Sequence, residues 1–158
     1  MSAHRPTHDP AQPGTMPGTM RVHASTVCHA GRGLLILGRS GASKSGLALQ
    51  LMALGAQLVA DDQTELRAEG GTLFATCPPA IAGMIEARGM GLLRVPWAGE
   101  VPLALAVSLD TPQKARLPQT QHIRFLGVAL PLFCRVDAPY FPAALLLSLE
   151  HGPNTQDD

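Results

Sequence analysis

Charged and aromatic side chains are scarce in this chain of 158 residues, at 15% and 4%, whereas apolar residues make up 46%. The 12 basic and 12 acidic side chains cancel, so no broad basic surface indicates nucleic acid as a partner. No uncharged apolar run reaches the roughly 18 residues of a transmembrane helix, so we expect no membrane association. This length and composition predict one domain with a core mainly of Leu, Ala, Val and Ile.

Cysteines are also few, and none belongs to a CxxC pair. Cys28, Cys77 and Cys134 are odd in number and far apart, which argues against a disulfide framework or a zinc site. We interpret them as buried free thiols of a protein in a reducing compartment. Because the N-terminus also lacks the apolar segment of a secretory signal, we expect a cytoplasmic protein.

The two ends of the chain differ in composition from the middle. Residues 1–20 contain four Pro, two Gly and almost no apolar side chains. Such a segment cannot bury enough apolar surface to offset the entropy of ordering. We therefore predict a disordered leader over residues 1–20, one domain over 21–151 and a disordered polar tail over 152–158.

The most informative stretch runs from residue 33 to residue 54. Residues 34–37 are apolar and long enough for a buried strand, and residues 44–54 have the apolar spacing of a helix that ends at Gly55. The loop between them is rich in small residues: Gly38, Arg39, Ser40, Gly41, Ala42 and Ser43. A strand, a glycine-rich loop, Lys-Ser and a helix are typical of a phosphate-binding P-loop.

This loop has the chemistry that a phosphate chain requires. Backbone N–H groups of small residues can surround phosphate oxygens, and the helix N-terminus adds partial positive charge. Lys44 would reach the β- and γ-phosphates, and the Ser45 hydroxyl would hold Mg²⁺. The pattern has glycine where this chain has Ser43, and a positive φ there would cost a serine roughly 1–2 kcal/mol. The alternative is an ordinary Gly/Ser turn, which explains Lys-Ser at the helix start less well.

Two carboxylates follow the next short apolar segment, residues 57–60. Asp61 and Asp62 come directly after this predicted strand. A strand–helix–strand crossover brings the carboxyl ends of both strands to one edge of the sheet, near the P-loop. We therefore favour Mg²⁺ binding or proton transfer for the pair over the alternative of a solvated turn.

The remaining pattern predicts an α/β domain with a mixed sheet and few helices. A helical turn is predicted over residues 80–84, a polar loop over 110–121, and a final helix over 140–149 with Pro142 in its first turn. The first strand contains His23, which by itself is typical of an ordinary strand histidine. The strands are predicted at residues 21–28, 57–60, 64–67, 72–76 with Gly70-Gly71 in the preceding turn, 101–109, and, as one or two strands, 123–136.

Four segments together resemble the C-terminal catalytic domain of HPr kinase/phosphorylase. A P-loop alone is common, but a P-loop, a tandem Asp and a Glu-x-Arg-Gly-x-Gly core in this order are specific to that family. The resemblance covers residues 21–150. The segments are Val22-His23-Ala24, the loop from Gly38 to Ser45, Leu58-Val59-Ala60-Asp61-Asp62, and Ile85-Glu86-Ala87-Arg88-Gly89-Met90-Gly91-Leu92.

The resemblance implies a P-loop kinase domain similar to the core of phosphoenolpyruvate carboxykinase. Members of the family use ATP and Mg²⁺ to phosphorylate a serine of the phosphocarrier HPr, and they remove that phosphate by phosphorolysis. Compact chains of this kind resemble the short proteobacterial members, whose HPr-like partner belongs to a regulatory phosphotransferase system. The resemblance also implies a homo-oligomer, which is a hexamer in the family.

The same resemblance implies functions for individual side chains. Asp61 would be the base that accepts the serine proton, and His23 would lie beside the phosphate site. Arg88 would orient Glu86 or contact a phosphate, and Arg116, in the polar loop, is our candidate for neutralising transition-state charge. Mg²⁺ would be held by Ser45, Asp62 and Glu86.

Two other functions remain open from the sequence. One is a different P-loop kinase, which would phosphorylate nucleosides or metabolites rather than a carrier protein. The other is a non-catalytic nucleotide-binding regulator, in which Ser43 has impaired the loop. The regulator would bind nucleotide without forming phosphoserine.

Overall fold

The computed structural model describes residues 18–152. Within this range, eleven strands, one 3-10 turn (Pro79–Ile81) and two α-helices alternate along the chain. The helices are α1 (Lys44–Ala53) and α2 (Phe141–His151). The strands are β1 (Thr19–Val22), β2 (Ala24–His29), β3 (Arg32–Leu37), β4 (Gln57–Ala60), β5 (Thr64–Glu69), β6 (Thr72–Thr76), β7 (Met84–Ala87), β8 (Gly91–Arg94), β9 (Val101–Pro112), β10 (Gln121–Phe125) and β11 (Val128–Arg135).

Nine of these strands form one curled mixed sheet. Seven of them follow the order β1-β5-β6-β9-β3-β2-β4, and the other two, β10 and β11, join the sheet through β9. The long strand β9 also pairs in parallel with β11, and β11 pairs with β10 in an antiparallel hairpin. Strands β7 and β8 form a separate hairpin. The predicted mixed sheet with few helices is therefore confirmed.

The strand–helix–strand crossover around α1 sets the position of the polar residues. Strand β2 is antiparallel to both β3 and β4, so β3 and β4 run in the same direction with β2 between them. Their carboxyl ends consequently lie at one edge of the sheet. This arrangement places the loop that follows β3 close to the Asp pair that follows β4.

Apolar side chains cover both faces of the sheet. In β3, Leu34 and Ile36 pack on the face that carries the helices, whereas Leu35 packs on the opposite face. A strand that is buried on both faces needs a continuous apolar run, because successive side chains alternate between the faces. Each fully buried Leu or Ile contributes about 1.5–3 kcal/mol. The helix side includes Leu47, Leu51, Leu145 and Leu149, and the other side includes Leu66, Leu73, Phe125 and Leu130.

The start of the domain differs from the sequence prediction. The single strand predicted over residues 21–28 is two strands, because β1 pairs with β5 whereas β2 pairs with β3 and β4. The chain changes partner at His23. Thr19 and Met20, which were assigned to the leader, belong to β1, and Met20 is buried in the core. Residues 1–17 and 153–158 of the predicted leader and tail lie outside the described residues.

Later boundaries also shift. Strand β9 continues to Pro112, into the predicted polar loop, because its last residues pair with β11. The helical turn predicted over residues 80–84 is shorter, and Met84 already begins β7. The hairpin turn at Gly70 and Gly71 is confirmed, with φ of 61° and 80°, as a two-residue turn with two left-handed positions requires.

Neither helix among residues 18–152 is long and apolar enough to cross a membrane.

A glycine before β7 generates a stability prediction. Gly83 has φ of 74°, and a Cβ there would lie 2.7 Å from Trp97 Cε3 and 3.1 Å from the Val95 backbone oxygen. We expect Gly83→Ala to lower the free energy of unfolding by about 1–3 kcal/mol, since it combines a left-handed alanine with overpacking. Urea unfolding monitored by Trp97, the single tryptophan, measures this change.

The matched control is Gly99→Ala, because a Cβ at Gly99 meets nothing within 4 Å and no left-handed φ is recorded there. Its free energy of unfolding should stay within about 0.5 kcal/mol of the wild-type value. Equal stabilities for the two variants would contradict the close packing of Trp97 against Gly83.

Candidate functional site

The loop over residues 38–43 joins β3 to α1 as predicted. Gly41 has φ of 87° and Ser43 has φ of 74°, so two of its residues adopt the left-handed conformation. Ala42 N donates to the Arg39 backbone oxygen at 3.0 Å and closes a turn inside the loop. Alternation of right- and left-handed residues points successive N–H groups into one concavity, which favours anions.

Ser43 has the strained backbone that the sequence predicted for it. It precedes α1 with φ of 74° and ψ of 35°. An L-residue in this region costs roughly 1–2 kcal/mol, and the glycine of the usual pattern would avoid that cost. Because the loop nevertheless keeps its turn and its helix start, the serine strains the P-loop geometry without abolishing it.

Lys44 is folded back over the loop. Its side chain is largely buried, and Nζ donates to the backbone oxygens of Gly38 at 2.7 Å and Arg39 at 3.1 Å. An ammonium group has three donors, so one remains for a further acceptor. The loop carbonyls thus hold the positive charge of Lys44 against the loop.

Asp61 lies at the centre of the hydrogen-bond network. Its side chain is buried, and Oδ1 accepts from Ser25 Oγ at 2.8 Å and from Ser45 Oγ at 2.7 Å. Oδ2 accepts from Glu86 N at 3.2 Å. A carboxylate offers about four lone-pair positions, so both positions on Oδ1 are used and one on Oδ2 remains. Three elements, β2, α1 and β7, therefore fix the orientation of this one carboxylate.

Asp62 faces the other way, toward solvent and His23. His23 Nε2 and Asp62 Oδ1 are 2.7 Å apart, and the two side chains are 48% and 61% exposed. Asp62 has φ of 72°, and its N–H donates to Ser25 Oγ at 3.1 Å. The tandem carboxylates are thus divided into a buried one beside the P-loop and an exposed one beside a histidine.

The Glu-x-Arg segment is not extended throughout. Glu86 lies in β7 with its side chain exposed, but Arg88 lies in the turn between β7 and β8. Met90 N donates to the Ala87 backbone oxygen at 2.8 Å, and Gly89 has φ of 88°. Arg88 therefore does not continue the extended segment that carries Glu86, because the chain reverses at Arg88.

Arg116 is not brought into this network. It lies exposed in the loop after β9, and within residues 18–152 no hydrogen bond or ion pair joins it to the residues described above. Two polar residues that the sequence analysis did not select lie closer to the P-loop. Asp110 Oδ1 accepts from Arg39 N at 3.0 Å, and Arg135 donates to the Leu109 backbone oxygen at 2.7 Å.

A cleft of about 410 Å³ opens beside the loop and the first turns of α1. Its lining is mostly apolar and includes the polar side chains of Gln50 and Arg135. This volume lies within the range of small-molecule sites, roughly 300–1,000 Å³. The lining also includes Ala42, Ser43, Gly46, Leu47, Leu109 and Phe141.

The site fits Mg²⁺ better than a metal that needs a complete protein cage. Among residues 18–152, no group of three or more His, Cys, Asp and Glu side chains could hold a metal ion. Mg²⁺ usually keeps several waters and takes one or two carboxylates plus substrate phosphates. Because the Ser45 hydroxyl donates its hydrogen to Asp61, its oxygen lone pairs stay available for a cation. The exposed carboxylate of Asp62 adds a negative charge nearby.

The three cysteines are free thiols, as predicted, but only Cys28 is buried, whereas Cys77 and Cys134 are partly exposed. Burial, and then the negative charges of Glu65 and Asp61, raise the pKa of the Cys77 thiol to about 11. Burial also raises the pKa of Cys28. Both thiols are therefore protonated at neutral pH, which disfavours a cysteine nucleophile at this site.

Comparison with known proteins identifies the family. The model of the HPr Serine kinase C-terminal domain matches residues 15–98. The chain belongs to this family. The match contains His23, the P-loop, both aspartates and Glu86, whereas Arg116 and Arg135 lie beyond it.

Curated relatives agree with this assignment over the same region. The HPr kinase/phosphorylase of Clostridium novyi is 43% identical over 76 residues, and that of Bordetella petrii is 45% identical over 78 residues. These alignments cover 48% and 49% of this chain and 25% of each relative, so the chain spans about a quarter of the length of the relatives it matches.

A solved structure supports the P-loop kinase fold. The HPr(Ser) kinase/phosphatase of Coxiella burnetii is similar with a TM-score of 0.70 and 25% sequence identity. The match covers 83% of this chain and 94% of that chain. The similarity therefore extends past residue 98 to most of the sheet, and the predicted fold is confirmed.

The strained serine gives a prediction for the loop. We expect Ser43→Gly to raise the free energy of unfolding by about 0.5–1 kcal/mol, because relief of the left-handed strain exceeds the added chain entropy of glycine. Urea unfolding measures the change. Any phosphoryl transfer by the protein should stay similar or rise modestly.

The matched control is Ser40→Gly in the same loop, where no left-handed φ is recorded. Ser40→Gly adds conformational entropy to the unfolded chain without relieving any backbone strain, so the free energy of unfolding should fall by about 0.5–1 kcal/mol. Identical shifts for the two variants would exclude strain at Ser43. A wild type without transfer activity, together with an active Ser43→Gly variant, would identify the chain as an impaired enzyme.

Proposed function

We propose that this chain is an ATP- and Mg²⁺-dependent serine kinase and phosphorylase that acts on an HPr-like phosphocarrier protein. The observation that carries the proposal is the meeting of three donors at the buried carboxylate of Asp61: the hydroxyls of Ser25 and of Ser45 from the P-loop helix, and the Glu86 backbone N–H. This arrangement puts a base next to a phosphate-binding loop. Family membership and the matching fold agree with it.

The cleft beside α1 supports a nucleotide rather than pyrophosphate as the donor. The phosphoryl group to be transferred would lie at the end of the loop near Ser45 and Asp61. A nucleoside attached at the other end of the phosphate chain would then enter the cleft past Gly46, whose missing side chain leaves room beside the loop. Apolar Leu47 and Phe141 would contact the base, and Gln50 would supply hydrogen bonds.

The forward reaction needs a group that accepts the proton of the carrier serine. Asp61 Oδ2 is our choice, because Oδ1 is already occupied by two hydroxyl donors whereas Oδ2 keeps a free lone pair. As the serine oxygen bonds to the γ-phosphorus, the bond to the β-phosphate oxygen breaks and ADP leaves. Lys44 would neutralise the β- and γ-phosphate oxygens during this transfer.

The reverse reaction uses the same groups. An oxygen of inorganic phosphate attacks the phosphorus of phosphoserine, the bond to the seryl oxygen breaks, and Asp61 returns the proton to that oxygen. Pyrophosphate is the product. The exposed pair of His23 and Asp62 would bind the attacking phosphate beside the loop.

Mg²⁺, held by Ser45, Asp62 and Glu86, would supply positive charge to the transferring group. Arg116 remains our candidate for further transition-state charge. Because it has no contact with the network among residues 18–152, it would have to act on the bound carrier or phosphate. Arg135, beside Ser43 in the cleft, is a second candidate.

A protein substrate is supported by the surface next to Glu86. Met90 and Leu92, on the hairpin that carries Glu86, are 79% and 67% exposed. Exposed apolar side chains that lie together favour contact with another protein. The same proposal includes the HPr-like carrier as the partner. It also includes assembly of this chain into a homo-oligomer, such as a hexamer, and a cytoplasmic location.

Incubation with a carrier protein tests the function directly. The chain, Mg²⁺ and the HPr-like carrier of the same organism are combined with ATP or with pyrophosphate, and the intact carrier is weighed by mass spectrometry. We expect one added phosphoryl group with ATP, on serine, and its loss on addition of inorganic phosphate. Phosphorylated metabolites with an unmodified carrier would favour a small-molecule kinase, and nucleotide binding without transfer would favour the regulator.

Lys44 tests the P-loop itself. Lys44→Ala removes a charged donor, and a hydrogen bond to a charged group contributes about 1.5–3 kcal/mol, so ATP affinity should fall by about 10–100-fold. Isothermal titration calorimetry measures it. Lys114→Ala, an exposed lysine of the loop after β9, is the control and should keep wild-type affinity. Unchanged ATP binding and turnover in Lys44→Ala would refute the P-loop assignment.

Asp61 tests the mechanism. Asp61→Asn keeps the volume but removes the basic oxygen, and general acid–base catalysis typically contributes about 10²–10⁴-fold. Kinase and phosphorylase rates should therefore both fall by that order, while ATP binding survives. Rates are measured in both directions across a Mg²⁺ titration.

A comparison with Asp62→Asn separates base from metal ligand. Loss of a metal ligand should weaken Mg²⁺-ATP binding and be partly rescued by added Mg²⁺, which we expect for Asp62→Asn and not for Asp61→Asn. If Asp61→Asn retains near-normal rates in both directions, Asp61 is not the base, and Asp62 or His23 takes its place.

A further inference from the structure

Ser25 carries a fully buried hydroxyl near the start of β2, between β3 and β4. Its relative exposure is 0%, and it lies in β2 between apolar Ala24 and Val27 on the same strand. Side chains alternate along a strand, so Ser25 shares the helix-facing side with Val27, which packs in the core cluster of α1 and α2. A buried hydroxyl is costly unless it is hydrogen-bonded, so its partners matter.

The direction of each hydrogen bond of Ser25 follows from its partners. The Asp62 backbone N–H can only donate, so Ser25 Oγ accepts at 3.1 Å. The hydroxyl hydrogen is then free for Asp61 Oδ1, which is 2.8 Å away. One oxygen atom therefore joins the side chain of the first aspartate to the backbone of the second.

This link constrains the two aspartates differently. At Asp61 it occupies Oδ1 together with Ser45 and so turns Oδ2 away from β2. At Asp62 it holds the N–H of a residue with φ of 72°, a conformation that a non-glycine residue seldom adopts. From this fixed backbone, the exposed carboxylate of Asp62 reaches His23.

We propose that Ser25 is a positioning residue for phosphoryl transfer. It orients Asp61 so that Oδ2 meets the carrier serine, and it fixes the backbone of Asp62, whose carboxylate pairs with His23. The inference rests on the proposed function. Ser25 itself touches no phosphate and no substrate atom, so it acts through the Asp pair.

Kinetics test this proposal with a matched pair of variants. Ser25→Ala should lower kcat by about 10–100-fold in both directions, because small misplacements of a reacting group carry costs of that order. The KM values for ATP and carrier should stay within about threefold, since the P-loop is untouched. Ser25→Thr retains the hydroxyl and should keep more of the rate than Ser25→Ala.

The control is Thr26→Val, which removes the neighbouring buried hydroxyl on the opposite face. Thr26 Oγ1 pairs with Thr64 Oγ1 at 2.9 Å and contacts neither aspartate. Its kcat should stay near wild type even if both variants unfold at similar urea concentrations. An equal loss of kcat in Thr26→Val and Ser25→Ala, or an unchanged kcat in Ser25→Ala, would overturn the proposal.

A second readout needs no turnover. The Asp62 amide loses its acceptor in Ser25→Ala, so its hydrogen exchange should accelerate by about tenfold, as expected for one lost hydrogen bond. Thr26→Val should leave that exchange rate unchanged. If the wild type transfers no phosphate but the amide responds as described, the proposed function fails while the control of the Asp pair by Ser25 stands. If the hydrogen-exchange rate of the Asp62 amide is unchanged in Ser25→Ala, the role of Ser25 is refuted, whether or not the protein transfers phosphate.

Discussion

The site depends on the hydrogen bond between the Ser45 hydroxyl and Asp61 Oδ1, at 2.7 Å. It connects the start of α1, which follows β3, with the end of β4, and the antiparallel strand β2 lies between β3 and β4 in the sheet. The bond forms because both strands that flank β2 run in the same direction. Ser25, from the intervening strand, and the Glu86 backbone then complete the shell of donors around the same carboxylate. The loop that we propose to bind phosphate and the carboxylate that we propose to exchange protons are thereby held in one frame.

Local patterns made much of this architecture predictable. The P-loop, the helix after it and the hairpin at Gly70 and Gly71 follow from small residues, apolar spacing and the need for positive φ, all of which are properties of short segments. The strain at Ser43 could be predicted for the same reason, because the requirement belongs to a position in a known turn. The location of Asp61 and Asp62 beside the P-loop could also be predicted, because a strand–helix–strand crossover brings the carboxyl ends of its two strands to the same edge of the sheet.

Features that depend on distant partners could not be predicted. Alternating Val22, Ala24 and Thr26 continue one pattern through His23, and only the pairing of β1 with β5 reveals the break. The role of Ser25 could not be predicted for the same reason, because its partners Asp61 and Asp62 lie 36 and 37 positions later in the chain. A signal did exist for it: a polar residue in an otherwise buried strand.

The start of α1 has a further consequence for the stability of the whole domain. Among the described residues, Ser43 makes no side-chain hydrogen bond to the first turn, and that turn contains no acidic side chain. The first N–H groups of a helix need acceptors, and its positive end is stabilised by negative charge. Any phosphate that binds in the loop therefore completes the helix as well as the site. If phosphate binds there, the folding equilibrium and the occupancy of the loop become linked, and the free energy of unfolding rises with the phosphate concentration.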